Sequence, residues 1–244
     1  MYIKVLLCSL LSIISLSLRS QFLDLGLKGG IGFAHPDYFQ NGKLVHQPNS
    51  YYLSSFNGGV ILSLKINDRW YLHSEIIFED KGNKIINHHD TLSALNIDNA
   101  TSKSQIHNYF IQFPQTVRFL IPLSKTFKIN MYVEAGGYFA YYLTTHTVSR
   151  LFYNGKMDKT VTDLDWVNAV SDNLQTTHRF NWGATGGIGL LLPTWKGNWD
   201  LNFKYDYMLQ PFSTTSNPNK DKVYWEVIGI TIGYSLPVSK KSYH

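Results

Sequence analysis

The sequence predicts an all-β fold, an eight-stranded antiparallel up-and-down transmembrane β-barrel. Three observations predict it. Eight segments alternate apolar and polar residues with period two, as strands do when successive side chains point to opposite faces. The polar face carries the charges and the apolar face almost none, the reverse of what a water-soluble barrel needs. The connections alternate between short turns and long polar segments, as in barrels with tight turns on one side of a membrane and loops on the other.

The first twenty residues, MYIKVLLCSLLSIISLSLRS, place Lys4 ahead of an apolar run from Val5 to Leu18, with Ser20 before Gln21. This reads as a secretory signal peptide cleaved after Ser20, leaving 21–244 as the mature barrel domain. The run is too short and too serine-rich for a membrane-spanning helix. Cys8, the only cysteine, lies in this leader, so the mature chain is expected to have no disulfide and no thiol chemistry. A formal charge of +5, reduced when Lys4 and Arg19 leave, gives no footing for nucleic acid.

The first strand, 22–33, sets Leu23, Leu25, Leu27, Ile31 and Phe33 against Asp24, Lys28 and glycines. The second, 51–66, sets Phe56, Val60, Leu62 and Leu64 against Ser55, Asn57, Ser63 and Lys65. The third, 70–81, sets Trp70, Leu72, Ile76 and Phe78 against Tyr71, His73, Glu75 and Glu79. In the fourth, 108–121, Ile111, Phe113, Val117 and Phe119 oppose Gln112, Thr116 and Arg118. In the fifth, 130–143, Val133, Ala135, Gly137, Phe139 and Tyr141 oppose Tyr132, Glu134 and Tyr138. The sixth, 178–192, sets Phe180, Trp182, Ile188 and Leu190 against Arg179, Asn181 and Thr185. The seventh alternates Trp199, Leu201, Phe203, Tyr205 and Tyr207 with Asp200, Asn202, Lys204 and Asp206. The eighth, 223–236, sets Ile228, Ile230, Ile232 and Tyr234 against Gly229, Thr231 and Ser235. Short turns fall at 67–69, 122–126 and 193–198, and long polar segments at 34–50, 82–107, 149–177 and 210–222, read as external loops.

An apolar face this large is stable against lipid and not against water. The expected location is therefore the cell outer membrane, with outer-membrane lipid as the surrounding partner. Eight strands enclose a space that side chains fill. The inward charges Lys28, Lys65, Glu75, Arg118, Glu134, Arg179, Asp200 and Lys204 are thus expected to form a self-neutralising network, with Arg118 the partner of Glu134 across a short turn. On the outward face, Ser74 and Gln115 interrupt the apolar row beside Ala135, Gly137, Ala184 and Gly186. This small, slightly polar patch suits docking of another outer-membrane protein, or else Ser74 and Gln115 simply bond each other.

Other chemistry is thinly represented. His88-His89 lacks a third ligand at metal spacing, and Asp163 with Asp165 is a weak calcium signal, so no metal and no cofactor are assigned. His73 and Glu75 share a face, and His146 and His178 lie near the outer rim, but no serine is placed beside any of them.

The stretches "LGLKGGIGFA", "LSLKINDRWYLHSEIIFEDKG", "NYFIQFPQTVRFL" and "MYVEAGGYFAYYL" resemble, in order, the PorT-like family of Gram-negative outer-membrane β-barrels. Gln112 stands where that family usually has glutamate, and Arg118 where it has lysine. The end, PVSKKSYH, departs from the terminal aromatic common in barrels. The resemblance implies fold and location. The expected function is a non-enzymatic membrane-embedded scaffold or accessory subunit of an envelope or secretion assembly, its polar lumen plugged. The alternatives are a lipid-modifying enzyme and a small-solute pore.

Overall fold

A computed structural model describes residues 23–45, 49–92, 97–123, 129–153, 156–162, 176–214 and 221–238. The signal segment 1–20 and Asp163 and Asp165 lie outside these. The described chain is all-β and antiparallel. Its strands are β1 (Leu23–Gln40), β2 (Lys43–Val45), β3 (Ser50–Lys65), β4 (Trp70–Leu92), β5 (Ile97–Pro122), β6 (Asn130–Tyr153), β7 (Lys156–Thr162), β8 (Thr176–Thr177), β9 (Phe180–Pro193), β10 (Asn198–Met208), β11 (Ser213–Thr214) and β12 (Asp221–Pro237).

The long strands pair in the order β1-β3-β4-β5-β6-β9-β10-β12, and β12 pairs again with β1 from Asp24↔Pro237 to Gln40↔Asp221. Two short connections have local causes. Asn67 Oδ1 accepts from the backbone N–H of Arg69 and of Trp70, each at 2.9 Å, which fixes the β3–β4 turn. Asn41 and Gly42 both have positive φ, 51° and 76°, the pairing that a two-residue hairpin between β1 and β2 requires.

The structure departs from the sequence expectation in the long polar segments. Much of 82–107 is strand: β4 continues to Leu92, β5 begins at Ile97, and the two stay paired out to Leu92↔Ile97. Likewise β6 runs on to Tyr153 and pairs antiparallel with β7. Beyond the apolar belt a hairpin has water on both faces, so it needs no apolar alternation, and period-two reading loses it there.

Burial settles which face is which. Leu27 and Ile232 are 67% and 57% exposed, whereas Glu134 and Lys204 are 5% and 6% exposed. Most of the large apolar side chains on the long strands lie outward, and charged groups such as Glu75, Arg118, Glu134 and Lys204 lie within. Strands that do not pair meet through those inward groups. Lys204 of β10 reaches Glu75 of β4, although three strands separate β4 from β10 in either direction along the pairing order.

Candidate functional site

The interior is stacked in levels along the strands. At the level nearest the short turns, Arg118 on β5 donates through Nε to Glu134 Oε2 on β6 and through Nη1 to Asp200 Oδ2 on β10, both at 2.6 Å. Arg118 and Glu134 are direct register partners on adjacent strands, which is why the short β5–β6 connection brings them together. Tyr132 places its ring 4.3 Å from the guanidinium carbon and donates its hydroxyl to Asp200. Asn202 then donates to both Tyr132 Oη and Glu134 Oε1 at 2.7 Å. A small pocket at this level is lined by Asp24, Ser63, Tyr71, Arg118, Tyr132 and Asp200, among others.

One level higher, Glu75 is shared. Lys28 Nζ lies 2.7 Å from Oε1, Lys204 Nζ 3.3 Å from Oε2, and His73 Nε2 2.9 Å from Oε1. Lys204 also lies 3.6 Å from Asp206, which accepts from Gln112. Above this, Lys81 is fully buried, 3.1 Å from Glu79, with the rings of Tyr138 and Phe110 at 4.8 and 5.4 Å. Among the described interior residues, Lys28, Lys81, Arg118 and Lys204 thus face Glu75, Glu79, Glu134, Asp200 and Asp206. Near-balance is what a low-dielectric interior demands, because an unpaired buried ion costs several kcal/mol.

The end of the interior away from the short turns is different in kind. Ala34, Phe110, Ala140, Met208, Phe212, Trp225 and Val227 form a buried cluster, with Tyr142 packed against it. Phe212 follows β10, and its segment is pinned by Phe212 N–H to Val223 O and by His178 N–H to Phe212 O. This aromatic stopper is not visible in strand periodicity, because Phe212 lies in a connection.

Six of the eight charges singled out in the sequence, Lys28, Glu75, Arg118, Glu134, Asp200 and Lys204, are brought together in this way. Two are not. Arg179 is exposed in the bend before β9, since that strand begins only at Phe180. Lys65 stands at the very end of β3 and pairs with Asp68 in the turn at 2.7 Å, which holds the Asp68 carboxyl below its usual range. Strand periodicity alone places no serine beside His73. Ser63 Oγ lies 2.7 Å from His73 Nδ1, while Nε2 faces Glu75. Strand pairing supplies the contact, as Ser63 and His73 are opposite one another on β3 and β4.

The outward patch is contiguous. Ser74, Gln115, Gly137 and Ala184 follow one another across β4, β5, β6 and β9, and Ala135 sits beside Gly186. Ser74 Oγ donates to Gln115 Oε1 at 2.7 Å, and Gln115 Nε2 to the Pro114 carbonyl at 2.9 Å, so both polar groups are satisfied within the chain.

Residues 17–213 match the family described as outer membrane protein beta-barrel domain. The chain belongs to this family. As a member of the outer membrane protein beta-barrel domain family it is a membrane-embedded antiparallel β-sheet protein of the outer membrane, and its greasy exterior is its lipid-facing surface. No curated protein sequence matches it. Among solved structures, similar ones include the outer membrane protein OprG from Pseudomonas aeruginosa (14% identity, TM-score 0.40, covering 87% of this chain and 95% of that one). Neisserial surface protein A is another (11% identity, TM-score 0.37, 85% and 95%). The outer membrane protease OmpT from Escherichia coli is a third (7% identity, TM-score 0.37, 90% and 97%).

Proposed function

We propose that this chain is a closed, eight-stranded up-and-down barrel of PorT-like type with a plugged lumen. In this reading it acts as a non-enzymatic membrane-embedded scaffold or accessory subunit of an envelope or secretion assembly. The observation that carries the reading is the filled interior: ionic levels joining β4, β5 and β10 beneath an aromatic stopper. The second pairing of β1, with β12 as well as β3, supports closure. Such a body has no path for solute and offers its partners only the lipid-facing surface and the external ends. The satisfied Ser74–Gln115 pair, flanked by small residues that permit close backbone approach, is the surface assigned to docking. The test is mild detergent extraction of tagged protein, with companions quantified for the native chain and for Ser74→Leu/Gln115→Leu. Specific companions lost in the double variant support the reading, and an identical profile removes the docking assignment. A pore is tested separately by planar-bilayer recording, where sustained open channels contradict a plugged lumen.

A catalytic reading is favoured by one arrangement. Glu75 is an acceptor, so a neutral His73 carries its proton on Nε2 and leaves Nδ1 to accept from the Ser63 hydroxyl, the polarity of a serine nucleophile with its base. Against it, Glu75 is already shared by Lys28 and Lys204, and the neighbouring pocket is too small for an acyl substrate. A fluorophosphonate probe decides between the two: Ser63-dependent labelling makes the protein a serine hydrolase, and its absence leaves Ser63–His73 a structural bond.

A further inference from the structure

We propose that His35, Asp37 and Glu226 form a binding site for a divalent transition-metal cation of the zinc class on the outward rim. His35 and Asp37 sit on β1 two residues apart and so share a face. Glu226 on β12 is the direct register partner of His35. Nδ1 or Nε2 of the imidazole and one oxygen of each carboxylate all lie within 4.8 Å of one another. A point therefore exists within about 2.8 Å of all three, and closing to the ~2.0–2.2 Å of a zinc bond needs less than about 1 Å from each side chain.

The charge balance here differs from that of the comparable acid on the same face. Asp80 on β4 has one histidine to itself, with His107 Nδ1 2.7 Å from Oδ2. Asp37 and Glu226 are two carboxylates with one imidazole between them, and among the described residues no lysine or arginine pairs with either. His35 does not pair directly with them as His107 does with Asp80, yet a ring nitrogen lies within 4.8 Å of an oxygen of each carboxylate. Glu226 is also held in place by groups outside the trio. Tyr52 donates to Glu226 Oε1 and Tyr205 donates to Oε2 at 3.2 Å. The His35 ring rests on Tyr52, centroids 4.8 Å apart. Partners of this kind orient ligands and tune a metal. A nitrogen donor among the three favours zinc, nickel or copper over calcium and magnesium, which take oxygen. Three protein ligands leave a coordination position open. The trio lies on the outward face just beyond Phe33 and Ile228, where the apolar face ends.

The experiment is calorimetric titration of ZnCl2 into the full-length protein folded in detergent micelles, with heat-modifiable gel mobility as the check on folding. The expected result is one saturable site per chain, unmoved by millimolar Ca2+ or Mg2+. His35→Gln, Asp37→Asn and Glu226→Gln each weaken it at least tenfold, Tyr205→Phe weakens it less, and His88→Gln/His89→Gln leaves it unchanged. Absence of saturable zinc binding, or an affinity indifferent to His35→Gln and Glu226→Gln, overturns the proposal. Should those variants fail to fold, X-ray absorption on the zinc-loaded native protein still decides. One imidazole with oxygen ligands upholds the site, and two or more imidazoles refute it.

Discussion

Replacing Arg118 with methionine keeps much of the side chain's volume and removes the guanidinium that joins Glu134 to Asp200. Both carboxylates lie at 2.6 Å from it, and the side chains of Arg118, Glu134 and Asp200 are 7%, 1% and 8% exposed, so water cannot take its place. Removing one partner of a buried ion pair costs about 3–5 kcal/mol, mostly as the penalty of stranding the other. Here two acids are stranded, but each keeps donors. Asn202 and Thr116 still reach Glu134, and Tyr132 still reaches Asp200. The expectation is therefore a loss of about 3–5 kcal/mol and not twice that. Neutralising the acids as well, in Arg118→Met/Glu134→Gln/Asp200→Asn, removes the stranded charge and should recover most of the loss. Urea unfolding in detergent, followed by tryptophan fluorescence at unchanged slope, measures both. If Arg118→Met unfolds within about 0.5 kcal/mol of the native chain, or the triple variant is no more stable than the single one, the ionic levels do not hold the interior as argued.

Leu201→Arg on the outward face of β10 should cost about 2–4 kcal/mol in lipid, while the same change at the external rim costs at most about 1 kcal/mol. Gly189→Ala should destabilise by about 1–3 kcal/mol in the same unfolding assay, because its new Cβ would stand 2.3 Å from the Tyr132 ring and 2.6 Å from the Leu201 carbonyl oxygen; native stability would mean that both the ring and the neighbouring backbone give way. Phe212→Ala should remain silent in planar bilayers, since the ionic levels lie beneath the stopper, and a conducting variant would assign the whole seal to one aromatic ring.

The strands' existence, facing and polarity are legible because lipid imposes a binary pattern over a fixed span: Trp199 to Tyr207 alternate without a fault. The Arg118–Glu134 bond is legible for the same reason, since a short turn fixes which residues lie opposite. What escapes is everything that depends on unpaired strands or on water. The reach of Lys204 to Glu75 requires knowing which side chains cross the interior, and periodicity carries no such information. The extension of β4 and β5 beyond residue 81 lies where both faces are wet and the pattern lapses. His35 and Glu226 are neighbours only because the first and last strands pair, so no local motif joins them. Arg179 fails in the opposite sense: it fits the alternation, but the strand has not yet begun.

The ladder between β1 and β12 has a consequence for biogenesis. The most remote pairing in the described sheet is also one of the longest, so a nascent chain presents two bare edges, of β1 and β10, until β12 arrives. Truncation before residue 221 would leave both edges as templates for foreign strands.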